Sequence, residues 1–312
     1  MNLEELHGFG QSIWLDYIRR DLLTGGELAR LVRDEGIRGV TTNPSIFDKA
    51  IGGSTEYDAA IARHARDEDE PAALYERLSM VDIQEAADVL RPVYDATGRR
   101  DGFVSMEVSP RLAHDTAGTL DEARRLWKQV ARENLMIKVP ATPEGMPAIA
   151  RLIGEDINVN ITLLFSRAAC RQVALAYMTG LEAVAAREGR LDRIASVASM
   201  FVSRIDAKVD PLLEEREGEA RRALLGKVAI ANAKLAYQDW KETCASPRWQ
   251  ALAAKGARVQ RLLWASTSTK DERLRDTLYV EELIGPDTVV GGAQEARKSD
   301  EERGSPPNLF TN

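Results

Sequence analysis

Lys138 lies in the apolar run Asn134-Leu-Met-Ile-Lys-Val139, which Pro140-Ala-Thr-Pro143 closes. Ammonium groups are among the side chains least often buried, and withdrawal from water favours the neutral amine. Only the amine attacks a carbonyl, and at an ordinary pKa of about 10.4 fewer than about one lysine in a thousand is neutral at pH 7. Burial would therefore make Lys138 a candidate imine-forming nucleophile. The ordinary alternative is a lysine whose stem packs while its head reaches water. Glu107 lies in a second apolar run, Phe103-Val-Ser-Met-Glu-Val108, where a strand interior rarely accepts an unpaired carboxylate.

The elements that must position these groups are short runs rich in Val, Ile and aromatics, alternating with longer helical patterns. Eight such runs are present: Ser12 to Leu15, Gly39 to Thr41, Phe103 to Val108, Leu135 to Val139, Ile157 to Thr162, Ala195 to Ser199, Gln260 to Ala265, and Thr288 to Val290. Helix starts are marked by the capping-box patterns Thr24-Gly-Gly-Glu27 and Thr119-Leu-Asp-Glu122, and by Thr142-Pro143 and Ser246-Pro247. Gly36, Gly154 and Gly256 mark stops. The pattern predicts an α/β chain forming a single (β/α)8 TIM barrel over residues 1–290, with its site at the C-terminal ends of the strands. An inserted helix pair, Tyr57 to Arg66 and Ala72 to Ala96, follows the second strand, with the acidic Asp67-Glu-Asp-Glu70 between the two helices. The rival is a doubly wound open sheet, but the chain has neither a GxGxxG turn nor a GxxxxGK[ST] loop.

In a barrel, polar residues at strand ends converge on the mouth, where they need partners or a ligand. Asp16 ends the first strand, Thr41-Thr-Asn43 the second and Glu107 the third. Lys138 sits on the fourth, Asn160 and Thr162 on the fifth, Ser199 on the sixth and Ser266 on the seventh. An amine, carboxylates, carboxamides and hydroxyls suit carbon–carbon bond chemistry on a polyhydroxy ketone. Each has a structural alternative. Asp16 could cap a helix, Asn43-Pro44 could mark a turn, and Asn160 and Thr162 share a face that could equally be a polar outer one. A small hydroxyl such as Ser199 fits a barrel interior without any further task.

Composition narrows the class. The chain has 312 residues, is 44% hydrophobic, and has no apolar run approaching the roughly 18 residues of a membrane span. Its 42 basic residues are scattered among 49 acidic ones at a net charge of −7, so there is no basic stripe for nucleic acid. The start, Met1-Asn-Leu-Glu-Glu-Leu-His7, lacks the basic-then-apolar order of an export signal, and a cytoplasmic location is expected. Cys170 and Cys244 lie far apart without metal-ligand spacing, and His7, His64 and His114 form no local cluster. A metal site and a histidine-based triad are not expected.

The segments Thr41-Thr-Asn-Pro-Ser-Ile-Phe47, Ser105-Met-Glu-Val-Ser109, Met136-Ile-Lys-Val-Pro-Ala-Thr142, Asn158-Val-Asn-Ile-Thr-Leu-Leu-Phe-Ser166 and Ser199-Met-Phe-Val-Ser-Arg-Ile-Asp206 resemble, in order, the signatures of transaldolases. Ala265-Ser-Thr-Ser-Thr-Lys270 and Thr277-Leu-Tyr-Val-Glu-Glu-Leu283 resemble the longer bacterial branch of that family. The resemblance implies a transferase of the non-oxidative pentose phosphate pathway that uses a Schiff base and no cofactor. It would move a dihydroxyacetone unit from sedoheptulose 7-phosphate to glyceraldehyde 3-phosphate, giving erythrose 4-phosphate and fructose 6-phosphate.

The resemblance also implies roles. Lys138 matches the imine-forming lysine, Asp16 the acid/base at the C4 hydroxyl, and Glu107 with Thr162 the pair that holds a water. Asn43, Asn160 and Ser199 match groups that bind the donor's hydroxyls, and Arg204 matches a phosphate-binding arginine, a task its guanidinium fork suits. Many transaldolases place a second arginine two positions after the seventh-strand serine. Here Ser268 stands two positions after Ser266, and Lys270 is the nearby cation that could take its place. The polar segment 291–312 replaces the family's continuation of the eighth strand and its closing helix. It reads as a disordered tail, with a barrel short of its last helix and less stable for it.

Other functions on the same barrel are a class I aldolase that releases dihydroxyacetone, a sugar-phosphate isomerase, and a non-catalytic sugar-phosphate binder. An isomerase would leave Lys138 without a task, and a binder would not need Lys138, Asp16 and Glu107 together.

Overall fold

The structure is a computed structural model that describes residues 3–64, 70–215 and 223–292. The apolar runs form β1 (Gln11–Asp16), β2 (Gly39–Thr41), β3 (Phe103–Glu107), β4 (Leu135–Pro140), β5 (Val159–Leu164), β6 (Ser196–Phe201), β7 (Arg261–Ala265) and β8 (Thr288–Gly291). The strands pair in parallel in sequence order, and β8 closes back onto β1 through Gln11 opposite Thr288 and Ile13 opposite Val290. That closure excludes the open sheet. β5 begins two residues later than expected, and both β5 and β6 run on to meet their neighbours.

Strands buried on both faces read as near-continuous apolar runs. In β4, Leu135, Ile137 and Val139 join the large core beneath the helices, whereas Met136 packs in the smaller cluster of Trp14, Phe103 and Leu263. Lys138 follows Met136 at the strand period of two, which places it above that cluster. β2 is short and carries Gly39, where a Cβ would meet the Trp14 ring at 2.6 Å. Near the starts of β1 and β7 lies a buried network: Arg261 Nη2 donates to Asp101 Oδ1 at 2.8 Å, Ser12 Oγ to Asp101 Oδ2 at 2.7 Å, and Trp14 Nε1 to Asp101 Oδ1 at 3.1 Å.

Between β2 and β3 lie helices Pro44–Gly52, Asp58–His64 and Pro71–Ala96, with a 3-10 turn at Thr55–Tyr57. The last matches the expected 72–96 helix. The first of the expected pair starts as the 3-10 turn, and its end at residues 65–66, with most of the acidic break, lies outside the described residues. Asp82 of the long helix anchors this region to the short helix Arg20–Thr24 that follows β1: Arg20 Nη2 lies 2.7 Å from Asp82 Oδ1, and Tyr57 OH donates to Asp82 Oδ2 at 2.7 Å.

Some boundaries differ from expectation. Neither capping box forms. Thr24 closes one short helix while Gly26 caps the next, and Thr119 lies inside the Thr116–Val130 helix, whose cap is Asp115. Thr142 does not start a helix at Pro143; its hydroxyl accepts from Gly145 N at 3.0 Å, and the helix runs Gly145–Gly154. Ser246 does cap Pro247–Ala253. Cys170 is buried, Cys244 half-buried, and both are free thiols. No described helix is long and apolar enough to cross a membrane. Gly291 ends β8, and the expected tail and missing last helix fall on residues 293–312, outside the described residues.

Candidate active site

A cavity of about 960 Å³ opens at the C-terminal ends of the strands. Lys138 lines it and is only 7% exposed, so its head does not snorkel to solvent. Its Nζ lies 2.7 Å from Glu107 Oε1 and donates to the Thr42 carbonyl oxygen at 2.6 Å. The β3–β4 register sets the first contact, because Glu107 stands opposite Lys138; Lys138 in turn stands opposite Asn160 of β5. Burial pushes the Glu107 carboxyl above its ordinary range. Lys138 opposes that rise, and the charge of Asp16 adds to it.

Asp16 lines the cavity and accepts from Thr41 Oγ1 at 2.7 Å, so it is not a helix cap. Asn43 does cap a helix, its Oδ1 accepting from Ile46 N at 3.1 Å, which leaves its NH2 as the donor available to a ligand. Thr162, Ser199, Arg204, Ser266 and Lys270 also line the cavity. Asn160 does not. It is fully buried beneath the wall, donating from Nδ2 to Ser105 Oγ at 3.0 Å and accepting from Ser199 Oγ at 2.7 Å. Its amide therefore orients Ser199 from below. Just past Thr162, Leu163 takes a φ of 63°, within the irregular β5–β6 register. A bulge of this kind re-aims neighbouring side chains.

The transaldolase/fructose-6-phosphate aldolase family model matches residues 13–296. The chain belongs to this family. Similar proteins named transaldolase are 50% identical in Trichodesmium erythraeum (92% of this chain, 78% of the relative) and 55% identical in Acidothermus cellulolyticus (92% and 77%). One named transaldolase 2, from Nostoc punctiforme, is 52% identical, over 92% and 78%. A solved structure, of a Clostridium thermocellum protein described as binding two copies of 5-methyl-5,6,7,8-tetrahydrofolic acid, matches 90% of this chain and 95% of its own at 10% identity. Its TM-score of 0.37 is too low to bear on function.

Four contributors to this transaldolase-family site were not singled out from the sequence. Ser105 holds Asn160 and lies two residues before Glu107, so the strand period could have revealed it. Lys49 and Arg19 line the cavity as further cations, with Arg19 Nε bound to Asp21 Oδ1 at 2.5 Å. Nothing in the sequence around either marks it as facing a cavity. The Thr42 carbonyl has no side-chain signal at all.

Proposed function

We propose that the chain works as a transaldolase, with Lys138 as the imine-forming nucleophile for transfer of a dihydroxyacetone unit between sugar phosphates. The observation that carries the reading is a buried lysine amine held between a carboxylate and a carbonyl oxygen on the wall of a roomy cavity. Glu107 takes a proton from Lys138, and the amine adds to the C2 carbonyl of the ketose. Loss of water from the carbinolamine gives a protonated imine, with Glu107 and Thr162 holding the water that leaves. Asp16 then accepts the proton of the C4 hydroxyl as the C3–C4 bond breaks. The bonding pair flows into the imine, which becomes an enamine, and the aldehyde departs.

The enamine persists until an acceptor aldehyde arrives; its carbon then forms a new carbon–carbon bond with the aldehyde, whose oxygen takes the proton back from Asp16 as the imine is restored. Hydrolysis of the product imine frees Lys138. Asn43 and Ser199 bind hydroxyls of the donor, Asn160 supports Ser199, and Arg204, Ser266 and Lys270 receive the phosphate. A guanidinium offers that anion a fork, while the lysine offers a point charge.

Sedoheptulose 7-phosphate and glyceraldehyde 3-phosphate together test the reading. Erythrose 4-phosphate and fructose 6-phosphate should form in equal amounts, with little free dihydroxyacetone when the acceptor is omitted. Rapid release of dihydroxyacetone without acceptor would instead identify an aldolase.

A further inference from the structure

The Ser203–Glu214 helix carries Arg204 in its first turn, and the connection from β7 to β8 carries Lys270. These elements are tied together at three places. At the cavity, the hydroxyls of Ser203 and Ser266 are 3.0 Å apart and Ser203 N donates to Ser266 O at 3.0 Å. Ser266 there has a φ of 56°, a conformation that a non-glycine residue keeps only when its surroundings fix it. Also in the first turn of the helix, Tyr279 OH donates to the buried Asp206 Oδ2 at 2.9 Å. At the far end, Arg273 Nη2 lies 2.7 Å from Glu214 Oε1.

The same guanidinium holds the residue next to Lys270: Arg273 Nε donates to Asp271 Oδ2 at 2.9 Å, and Arg273 N donates to Asp271 Oδ1 at 2.9 Å. Lys270 Nζ reaches back to Ser268 Oγ at 2.8 Å. Asp271 and Arg273 therefore make one compact turn, which the contact with Glu214 attaches to the end of the helix that carries Arg204. A lysine on a polar loop, with a flexible four-carbon stem, has more freedom than an arginine in the first turn of a helix. The loop's anchors therefore help to set its position relative to Arg204.

We propose that Glu214 and Arg273 form a positioning clip that sets Lys270 at the distance from Arg204 at which both hold one phosphate ester. The clip acts through Lys270 and touches no substrate, and it rests on the sugar-phosphate reading of this site. With side-chain exposures of 65% for Arg273 and 45% for Glu214, the pair is solvated, and its loss should leave the fold intact.

The test is steady-state kinetics with fructose 6-phosphate and erythrose 4-phosphate, alongside fructose, the same ketose without its phosphate. Glu214→Ala and Arg273→Ala should each raise the KM for fructose 6-phosphate about two- to fivefold, the scale of an exposed ion pair. kcat should stay within about twofold, and kcat/KM for fructose should hold. The double variant should be no worse than the worse single one, and Glu214→Ala should add nothing in a Lys270→Ala background. An unchanged KM in both single variants would overturn the clip. So would an equal loss on fructose, or a Glu214→Ala effect that survives without Lys270. If Lys270→Ala alone leaves the KM for fructose 6-phosphate unchanged, the phosphate reading fails and the clip fails with it. If Lys270→Ala raises that KM while neither clip variant does, only the clip fails.

Discussion

Lys138 Nζ and Glu107 Oε1 lie 2.7 Å apart on neighbouring strands, with the Thr42 carbonyl on a second side of the amine at 2.6 Å. A buried charge in this position is tolerable only because a partner is present, since an unpaired one would cost several kcal/mol. The pairing also defines a proton route. The amine must lose a proton before it attacks a carbonyl, and the base beside it is a carboxylate that burial has made more basic than usual.

Glu107→Gln keeps the size and an acceptor oxygen but cannot take the proton. It should lower kcat about 10²-fold or more, within the range for loss of a positioned general base. The Glu107 pKa lies above the ordinary 4.5, so kcat/KM of the native chain should fall as pH drops through that raised value. The acid limb should be missing in the variant. A pH–rate profile of the same shape in both proteins would remove Glu107 from the proton route.

Asp101 tests the fold separately from the chemistry. Burial alone would raise its pKa, but the charge and hydrogen bonds of Arg261, with bonds from Ser12 and Trp14, hold it below the ordinary 3.8. A depressed folded value means stability that is present above the unfolded pKa and lost as pH falls through the folded one. Asp101→Asn, which leaves Arg261 buried without its counter-charge, should cost about 3–5 kcal/mol at pH 7 by denaturant unfolding. The deficit should shrink below about pH 3.8.

Ser199→Ala removes the hydroxyl that donates to a fully buried amide oxygen, that of Asn160, at 2.7 Å. Leaving that oxygen unmet should cost about 1–3 kcal/mol of stability. Because Ser199 also lines the cavity, kcat/KM should fall as well, and thermal denaturation beside initial-rate assays separates the two effects.

Arg204→Ala should raise the KM for fructose 6-phosphate about 10- to 100-fold, the scale of a hydrogen bond to a charged group, with a much smaller change in kcat. A fall in kcat with unchanged KM would place Arg204 in the chemistry and not in phosphate binding.

The barrel was legible because buried parallel strands must be nearly continuous in apolar side chains, and the eight runs had that character. Helix starts were less legible. Thr119-Leu-Asp-Glu122 has the spacing of a cap, yet Asp115 upstream caps the helix first and the Thr119 hydroxyl bonds Leu112 O instead. In the site, Lys138 and Glu107 stood out because a charge in an apolar strand needs a reason. Asn160 shows the limit of strand periodicity, which assigns a face but not a depth. It shares β5 with Thr162, yet it lies beneath the wall that Thr162 lines. Lys49 and Arg19 were hidden because cations in loops and on helices look the same whether they face a cavity or open water.

The central claim is that Lys138 forms the imine. Incubation with fructose 6-phosphate followed by borohydride should reduce the intermediate to a stable amine, adding a three-carbon dihydroxyacetone unit to the peptide that bears Lys138, as read by mass spectrometry. Lys138→Ala should carry no such adduct. A folded, native chain that gains no adduct, or gains it on another lysine, would contradict the account.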